Sequence, residues 1–519
     1  MTDTATHFPV QDPLGECCPT LGELLNLNAR LYGEQSAFTD GEVTVTHAQL
    51  ERKSAGLAVG LHRAGLRSGD RISLLAQNGL PFVEIFYAAA RIGVIVSAIN
   101  WRLSPAEIAK VVGNDLPALL FTSKELSPLL SDVECHDFVS RPIVIDGSLE
   151  GFLCLDDFRG DPGDIQHESV APDDPVCFIH TAWTDGRPKA AVLTHRNLLC
   201  GAEQLGQIWT LNSSDVHICA LPLFHITALS LMLATARVGG CSILKARFNP
   251  AEALNAIELY GATLLGEFSP MLSELLKLQN SSKKMTSLRH VCGLDTPDVI
   301  KWFHTSCPRA TFWAVYGQSE AGGIVSMMSH ALADGSTGYP LPLSKIRIVD
   351  EAAFTVPAGE IGEIVISGPT VFVGYWGRPD VSAATLRGGW LHTGDVGKFD
   401  PYGRLVYVGR LPNKELIKSG GENVYPEEVE QVLRTHPAIV DVAVFGVAVF
   451  GVADKRWGES VRAVCVIRSM VDSQGLIEFV GERIASYKRP RSVIFADSLP
   501  SKADGTHDRD AIKAAFGSP

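Results

Sequence analysis

The sequence predicts an α/β protein with a large N-terminal domain and a smaller α+β C-terminal one, and three observations carry that prediction. Between residues 71 and 265, short apolar runs alternate with stretches of helical periodicity, the pattern of parallel strands joined by helices. After residue 340 the runs become strands separated by turns alone, as in a small barrel. Beyond a glycine-rich joint at 409–430 the chain returns to mixed helix and strand. A chain of 519 residues is too long for one hydrophobic core, so two to four packed units are expected.

In order along the chain, residues 21–33 and 46–65 read as two helices with a turn between them, and Thr46 is placed to cap the second. A buried strand at 71–75 precedes a helix at 82–92 and a strand at 94–99. The acidic stretch 160–175 is a loop leading to a buried strand at 176–179, a second, polar loop, and a helix opening after Thr194. Helices at 195–209, 227–238 and 250–260 alternate with strands at 216–220, 241–245 and 262–265. Segments 346–349, 362–366 and 405–408 are the strands of the barrel-like part. Past the joint come a helix at 427–435, strands at 439–445 and 461–467, and a helix at 475–486. Pro426 suits a first helical turn, and Glu427 and Glu428 complement its positive end. The pentapeptide VAVFG occurs twice in tandem, at 442–446 and 447–451. An odd-numbered insertion inverts strand facing, so the second copy is expected to bulge into a loop or replace the first.

The composition, 46% hydrophobic and 20% charged, is that of a soluble globular chain. A net charge of -13 argues against coating nucleic acid or anionic lipid but leaves room for a nucleotide in a local site. The N-terminal residues show no apolar run behind a basic start, and no apolar run is long enough to span a bilayer. Neither a secretion signal nor an integral membrane segment is expected. The eleven cysteines are scattered without a CxxC pair, so neither a zinc site nor a disulfide framework is indicated, and a cytoplasmic setting is expected.

Four segments carry candidate chemistry. The loop Thr181-Ala182-Trp183-Thr184-Asp185-Gly186-Arg187-Pro188-Lys189 offers hydroxyls, backbone N–H groups and a lysine to phosphate oxygens, though its spacing is not that of a P-loop. In Tyr316-Gly317-Gln318-Ser319-Glu320 a glutamate beside a hydroxyl can hold a magnesium ion that bridges phosphates. In Leu391-His392-Thr393-Gly394-Asp395 the aspartate can grip a ribose through two acceptor oxygens. The joint itself carries Arg410. Taken singly, each is equally readable as a solvated loop or surface charge.

Together with INWRLSPAEI (99–108), LPLFHITAL (221–229), SGGENVYPEEVE (419–430) and ASYKRPRSV (485–493), these segments resemble, over about residues 20–515, the adenylate-forming superfamily of acyl-CoA synthetases, peptide-synthetase adenylation domains and luciferases. The resemblance implies a large domain of two α/β subdomains and a small barrel (1–408), a hinge (409–414), and a mobile C-terminal domain (415–519). It implies ATP, magnesium and coenzyme A, and a reaction in which a carboxylate attacks the α-phosphorus of ATP before the CoA thiolate displaces AMP. Carried over by position, Glu320 holds magnesium, Asp395 binds the ribose hydroxyls and Arg410 assists it. Thr181, Thr184, Gly186 and Lys189 face the phosphates. Gly293, Leu294, Asp295 and Thr296 line the adenine, with Tyr316 against its ring and Gly317, Gln318 and Ser319 beside it. Ser419, Gly420, Gly421 and Glu422 meet CoA. Such catalysis rests on positioning and charge neutralisation.

The sequence departs from that pattern twice. The phosphate loop, usually close to TSGTTGxPKG, here reads TAWTDGRPKA, and Asp185 puts a negative charge near the triphosphate. The lysine that follows a glycine near the C-terminus is replaced by Thr506, which cannot neutralise charge as an ammonium does. Lys414 and Lys418 are the candidate substitutes; slow adenylation, or an engineered Thr506, are the other accounts. Relatives that activate amino acids place an aspartate near His225 or Ile226, and its absence favours an acid without an amine. His225, Ile226 and Ala228 are read as pocket wall, and Ala321, Gly322 and Gly323 as making room for a medium-chain fatty or aryl group. For those glycines close helix–strand packing is the competing explanation. The expected function is an AMP-forming acyl-CoA synthetase. A degenerate nucleotide or acyl-CoA binder and an enzyme loading a carrier protein in trans stay open, as does a homodimer.

Overall fold

The computed structural model describes residues 20–41, 43–133, 142–165, 168–184, 187–279, 284–329, 336–411, 415–419, 422–448 and 459–517. The alternating region folds into two large sheets. One runs, by neighbour, through Gly374–Tyr375, Arg187–Thr194, Pro175–Thr184, Ile95–Ala98, Arg71–Leu75, Leu119–Thr122, Ile143–Val144 and Leu153–Cys154. The other runs through Tyr339–Pro340, Gly323–Ser329, Thr311–Gln318, His290–Leu294, Leu264–Phe268, Val216–Cys219, Cys241–Leu244, Ser36–Asp40 and Val43–Thr46. Central pairs in both are parallel, as the helix-linked pattern requires. Helices cover them, among them Leu80–Arg91, His195–Ile208 and Ile226–Arg237, whose residues are largely buried.

Local chemistry explains the helix starts. Thr46, Ser104 and Thr194 each accept the N3 amide while the N3 side chain reaches back to the cap, so capping boxes set three boundaries. The expected turn between the first two helices is instead the hairpin Ser36–Asp40/Val43–Thr46, which extends the second sheet through a parallel pairing with Cys241–Leu244. The β-branched run Val43-Thr44-Val45-Thr46 behind Asp40-Gly41 carries that signal in the sequence.

The region after residue 340, expected as a small barrel-like part, is a half-barrel sheet. Lys345–Val349, Gly362–Ser367, Trp390–Phe399 and Leu386–Arg387 follow one another, with Leu405–Arg410 on the other edge of Trp390–Phe399. Beyond it, Ile417, Val424, Val429, Leu433, Val442, Val444, Val461, Leu476 and Val480 form a core of their own. That core lies between the sheet Ile439–Ala448, Glu459–Ile467, Ser492–Phe495 and the helices Pro426–Arg434 and Ser473–Gly481. The first VAVFG copy lies inside the strand Ile439–Ala448, which the second copy continues through residue 448; positions 449–451 lie outside the described residues. No described helix is long and apolar enough to cross a membrane. Every described cysteine is a free thiol.

Candidate active site

A cleft of about 700 Å³ lies where the second large sheet, the half-barrel sheet, the phosphate-loop hairpin and the C-terminal unit meet. Asp395 stands at its centre, and strand register puts it there. It is the cross-strand partner of Arg410 on neighbouring antiparallel strands, so the two side chains share a face. Arg410 Nε lies 2.8 Å from Asp395 Oδ1, an ion pair that is not aligned as a hydrogen bond. Oδ2 accepts from the Tyr316 hydroxyl at 2.8 Å and from Gln318 Nε2 at 2.5 Å. Burial, then the Asp395 charge, hold the Tyr316 phenol well above its usual range, so it remains a donor.

Glu320 occupies a single turn after the strand Thr311–Gln318. Its Oε1 accepts from the Tyr375 hydroxyl at 2.8 Å. Tyr375 arrives because Gly374–Tyr375 pairs with the strand Arg187–Thr194, which also sets Lys189 Nζ 5.2 Å from the centre of the Tyr375 ring. The polar loop of the sequence reading is therefore a hairpin. Pro175–Thr184 runs antiparallel to Arg187–Thr194 with Thr184 opposite Arg187, and residues 185–186 between them are outside the described residues. Thr181 and Lys189 line the cleft.

On the opposite wall Lys418 is solvent-exposed by surface area but ringed by protein. Desolvation and the Arg410 charge lower its pKa, with Asp395 and Glu459 opposing. The cleft is also lined by the uncharged residues Ile226, Thr227, Phe268, Leu294, Val315, Gly323 and Ile324, and by His225. His225 Nε2 lies 3.2 Å from Oε1 of Glu422, which also pairs with Arg102, while Asn100 Nδ2 donates to Oε2 at 3.3 Å. Burial raises the Glu422 pKa, but His225 and Arg102 outweigh it and hold the carboxylate below its ordinary value.

Over residues 25–376 the chain matches the AMP-binding enzyme family, and over 428–506 the AMP-binding enzyme C-terminal domain. It belongs to the AMP-binding enzyme family. A feruloyl-CoA synthase of Amycolatopsis sp is 34% identical over 497 residues, covering 94% of this chain and 97% of that one. Among solved structures, a double mutant of the Bacillus subtilis o-succinylbenzoate CoA synthetase bound to its product analogue gives a TM-score of 0.82 at 27% identity, over 94% of this chain and 97% of that one. The same synthetase with ATP and magnesium ion, also 27% identical and covering 94% and 99%, gives 0.67.

In this AMP-binding enzyme the cleft brings together Thr181, Lys189, His225, Ile226, Leu294, Tyr316, Gly317, Gln318, Ser319, Glu320, Gly323, Asp395, Arg410 and Lys418 of the residues singled out from sequence. It does not bring in Gly293 or Asp295. A Cβ on Gly293 would fall 1.9 Å from the Glu267 carbonyl, so that glycine serves strand packing. Gly322, at φ +69, faces the Thr370 carbonyl, and Gly323 faces Ser230 Oγ, so close packing accounts for both even though Gly323 also lines the cleft. Ala228 and Ala321 are buried behind the wall. Thr506 is exposed, bonded to Asp504, and away from the cleft in this domain arrangement. Lys414, Gly186, Gly420 and Gly421 lie outside the described residues, as do the side chains of Thr184 and Ser419. Sequence reading missed Tyr375 and Phe268, which enter the cleft through strand pairing, and Tyr425, which stands at the N-cap of the helix Pro426–Arg434.

Proposed function

We propose that this enzyme is an AMP-forming carboxylate–CoA ligase with domains 1–408 and 415–519 joined by a hinge at 409–414. The observation that carries the reading is the convergence of Glu320, Asp395 and Arg410 on one cleft that apolar side chains also line. ATP fits the polar zone: Asp395 Oδ1 is buried without an aligned donor and is suited to a ribose hydroxyl. Magnesium fits as well. Among the described residues no cluster of three ligating side chains exists, and a single carboxylate such as Glu320 completed by phosphate oxygens is how magnesium is ordinarily held. When bound, the ion neutralises phosphate charge.

The residues then divide the work. Asp395, oriented by Tyr316 and Gln318, fixes the ribose; Lys189 and the hairpin turn meet the phosphates; the apolar pocket aims the carboxylate at the α-phosphorus. Attack there forms the acyl-adenylate and releases pyrophosphate. In the second step the CoA thiolate attacks the acyl carbonyl and AMP leaves. The uncharged lining residues Ile226, Thr227, Phe268, Val315 and Ile324 favour an acid with an apolar body, aryl or medium-chain, and the lack of an aspartate at His225 or Ile226 favours one without an amine. The closer match to the product-analogue complex than to the ATP complex of one synthetase supports reading this arrangement as the thioester-forming one, with Thr506 turned away. Of the two candidate lysines, Lys418 lines the cleft and is suited to replace the missing one.

A panel of aryl and medium-chain acids with ATP, magnesium and CoA, reading AMP and thioester separately, tests the proposal. AMP without thioester points to carrier loading, and neither product with any acid points to a binder. Lys414→Ala and Lys418→Ala enzymes assayed for pyrophosphate release test the substitute lysine, and two fully active variants would remove it.

A further inference from the structure

Glu107 occupies the N3 position of the helix Pro105–Asp115, where its Oε2 accepts the Ser104 amide at 2.9 Å as half of a capping box. The same carboxylate reaches out of the large domain. Its Oε2 accepts the backbone amide of Ala485 at 2.8 Å, and its Oε1 accepts from Lys488 Nζ at 2.7 Å. Lys488 is only 2% exposed and also donates to Glu428 at 2.5 Å. Ser104 Oγ donates to the Arg483 carbonyl at 3.2 Å. A helix start in one domain is thus a socket for a turn of the other, around an ammonium shared by two carboxylates. Burial alone would discharge Lys488, but Glu428 and Glu107 raise its pKa and keep it charged.

We propose that Glu107 and Lys488 are positioning residues that select the domain orientation seen here, and so govern the thioester-forming half-reaction rather than adenylation. The inference rests on the ligase reading above. Neither residue lines the nucleotide cleft, so neither touches the reacting atoms. Glu428 belongs to the same domain as Lys488 and stays with it, so separation parts the ammonium from Glu107 alone, and the Glu107–Lys488 pair is matched only while the domains stay docked. Removing one partner leaves uncompensated charge at a buried contact, the costly way to break an ion pair.

The experiment compares wild type, Lys488→Met and Glu107→Gln in two half-reactions: acid-dependent ATP–pyrophosphate exchange without CoA, and thioester formation from supplied acyl-adenylate plus CoA. Lys488→Met is expected to slow the second at least tenfold and to change the first less than twofold. Glu107→Gln keeps an acceptor for the cap and is expected to give a smaller split in the same direction. Hydrogen exchange of segments 103–110 and 483–489, read on the same proteins, should rise together in the variants while the Arg71–Leu75 and Val216–Cys219 strands hold. Equal slowing of both half-reactions, or unchanged exchange in both segments, overturns the proposal. If Lys488→Met does not fold, Glu107→Gln on the large-domain side decides it. Should the wild type form no thioester with any acid, the ligase reading fails, and the exchange measurement still decides the docking claim.

Discussion

Asp395 gathers Arg410, Tyr316 and Gln318 from two different sheets, so its orientation is fixed before any nucleotide arrives. Asp395→Asn keeps the shape but removes the charge that faces Arg410 and the second acceptor oxygen; ATP affinity is expected to fall at least tenfold with the fold unchanged, checked by titration calorimetry and circular dichroism. Glu267 is the opposite case. It is fully buried between strands, and neither carboxyl oxygen has an aligned partner. Burial, then the nearby Asp295 charge, raise its pKa well above the ordinary 4.5. The unfolded chain ionises this group first, so stability declines as pH rises from about 4.5 toward the raised folded value. Glu267→Gln should lack that slope and gain about 1–3 kcal/mol near neutral pH, measured by denaturant unfolding at several pH values. A variant no more stable than wild type would mean the carboxyl has a partner in solution.

At the scale of elements, the hairpin of Pro175–Thr184 and Arg187–Thr194 carries Lys189 into the cleft, and in the sequence Asp185 stands between its two strands. A carboxylate there repels the triphosphate. Asp185→Thr is expected to lower the ATP Michaelis constant several-fold while leaving that of the acid unchanged; an unaltered or raised value contradicts the argument. This hairpin also marks where sequence reading stops. Strand 176–179 was legible from its apolar run, but its continuation to Thr184 depends on pairing with Arg187–Thr194, a tertiary contact that the polar letters TAWT conceal. The hairpin at residues 36–46 was legible through Asp40-Gly41 and was passed over because two strong helices flank it. Capped helices were read well, since caps are local chemistry. The half-barrel is legible only as barrel-like, because strand count is visible in a sequence whereas edge pairing is not. In the site, Glu320, Asp395 and Arg410 came from motifs, while Tyr375, which orients Glu320, carried no local mark.

For the whole molecule, the question is what holds two separately cored units in register. Glu422 answers for the active-site side, as Glu107 and Lys488 do for the other. It extends from a two-stranded ladder of the small unit to His225, Arg102 and Asn100 of the large one, next to the acyl pocket. Because His225 and Arg102 depress its folded pKa despite burial, its stabilisation is complete above the ordinary value of 4.5 and is lost as pH falls through the lowered one. The Glu422 carboxylate is therefore ionised near neutrality. Glu422→Gln keeps hydrogen-bonding capacity but gives up the charge, which is worth about 1.5–3 kcal/mol for a charge-assisted bond. The strand Glu422–Val424 should then exchange amide hydrogens faster, and thioester formation from supplied acyl-adenylate should slow while pyrophosphate exchange persists. In wild type the same loosening should appear only on acidification below about 4.5, and the variant should show no such pH step. A variant whose exchange and thioester rate match wild type across that range would show that apolar packing alone holds the small unit against the pocket.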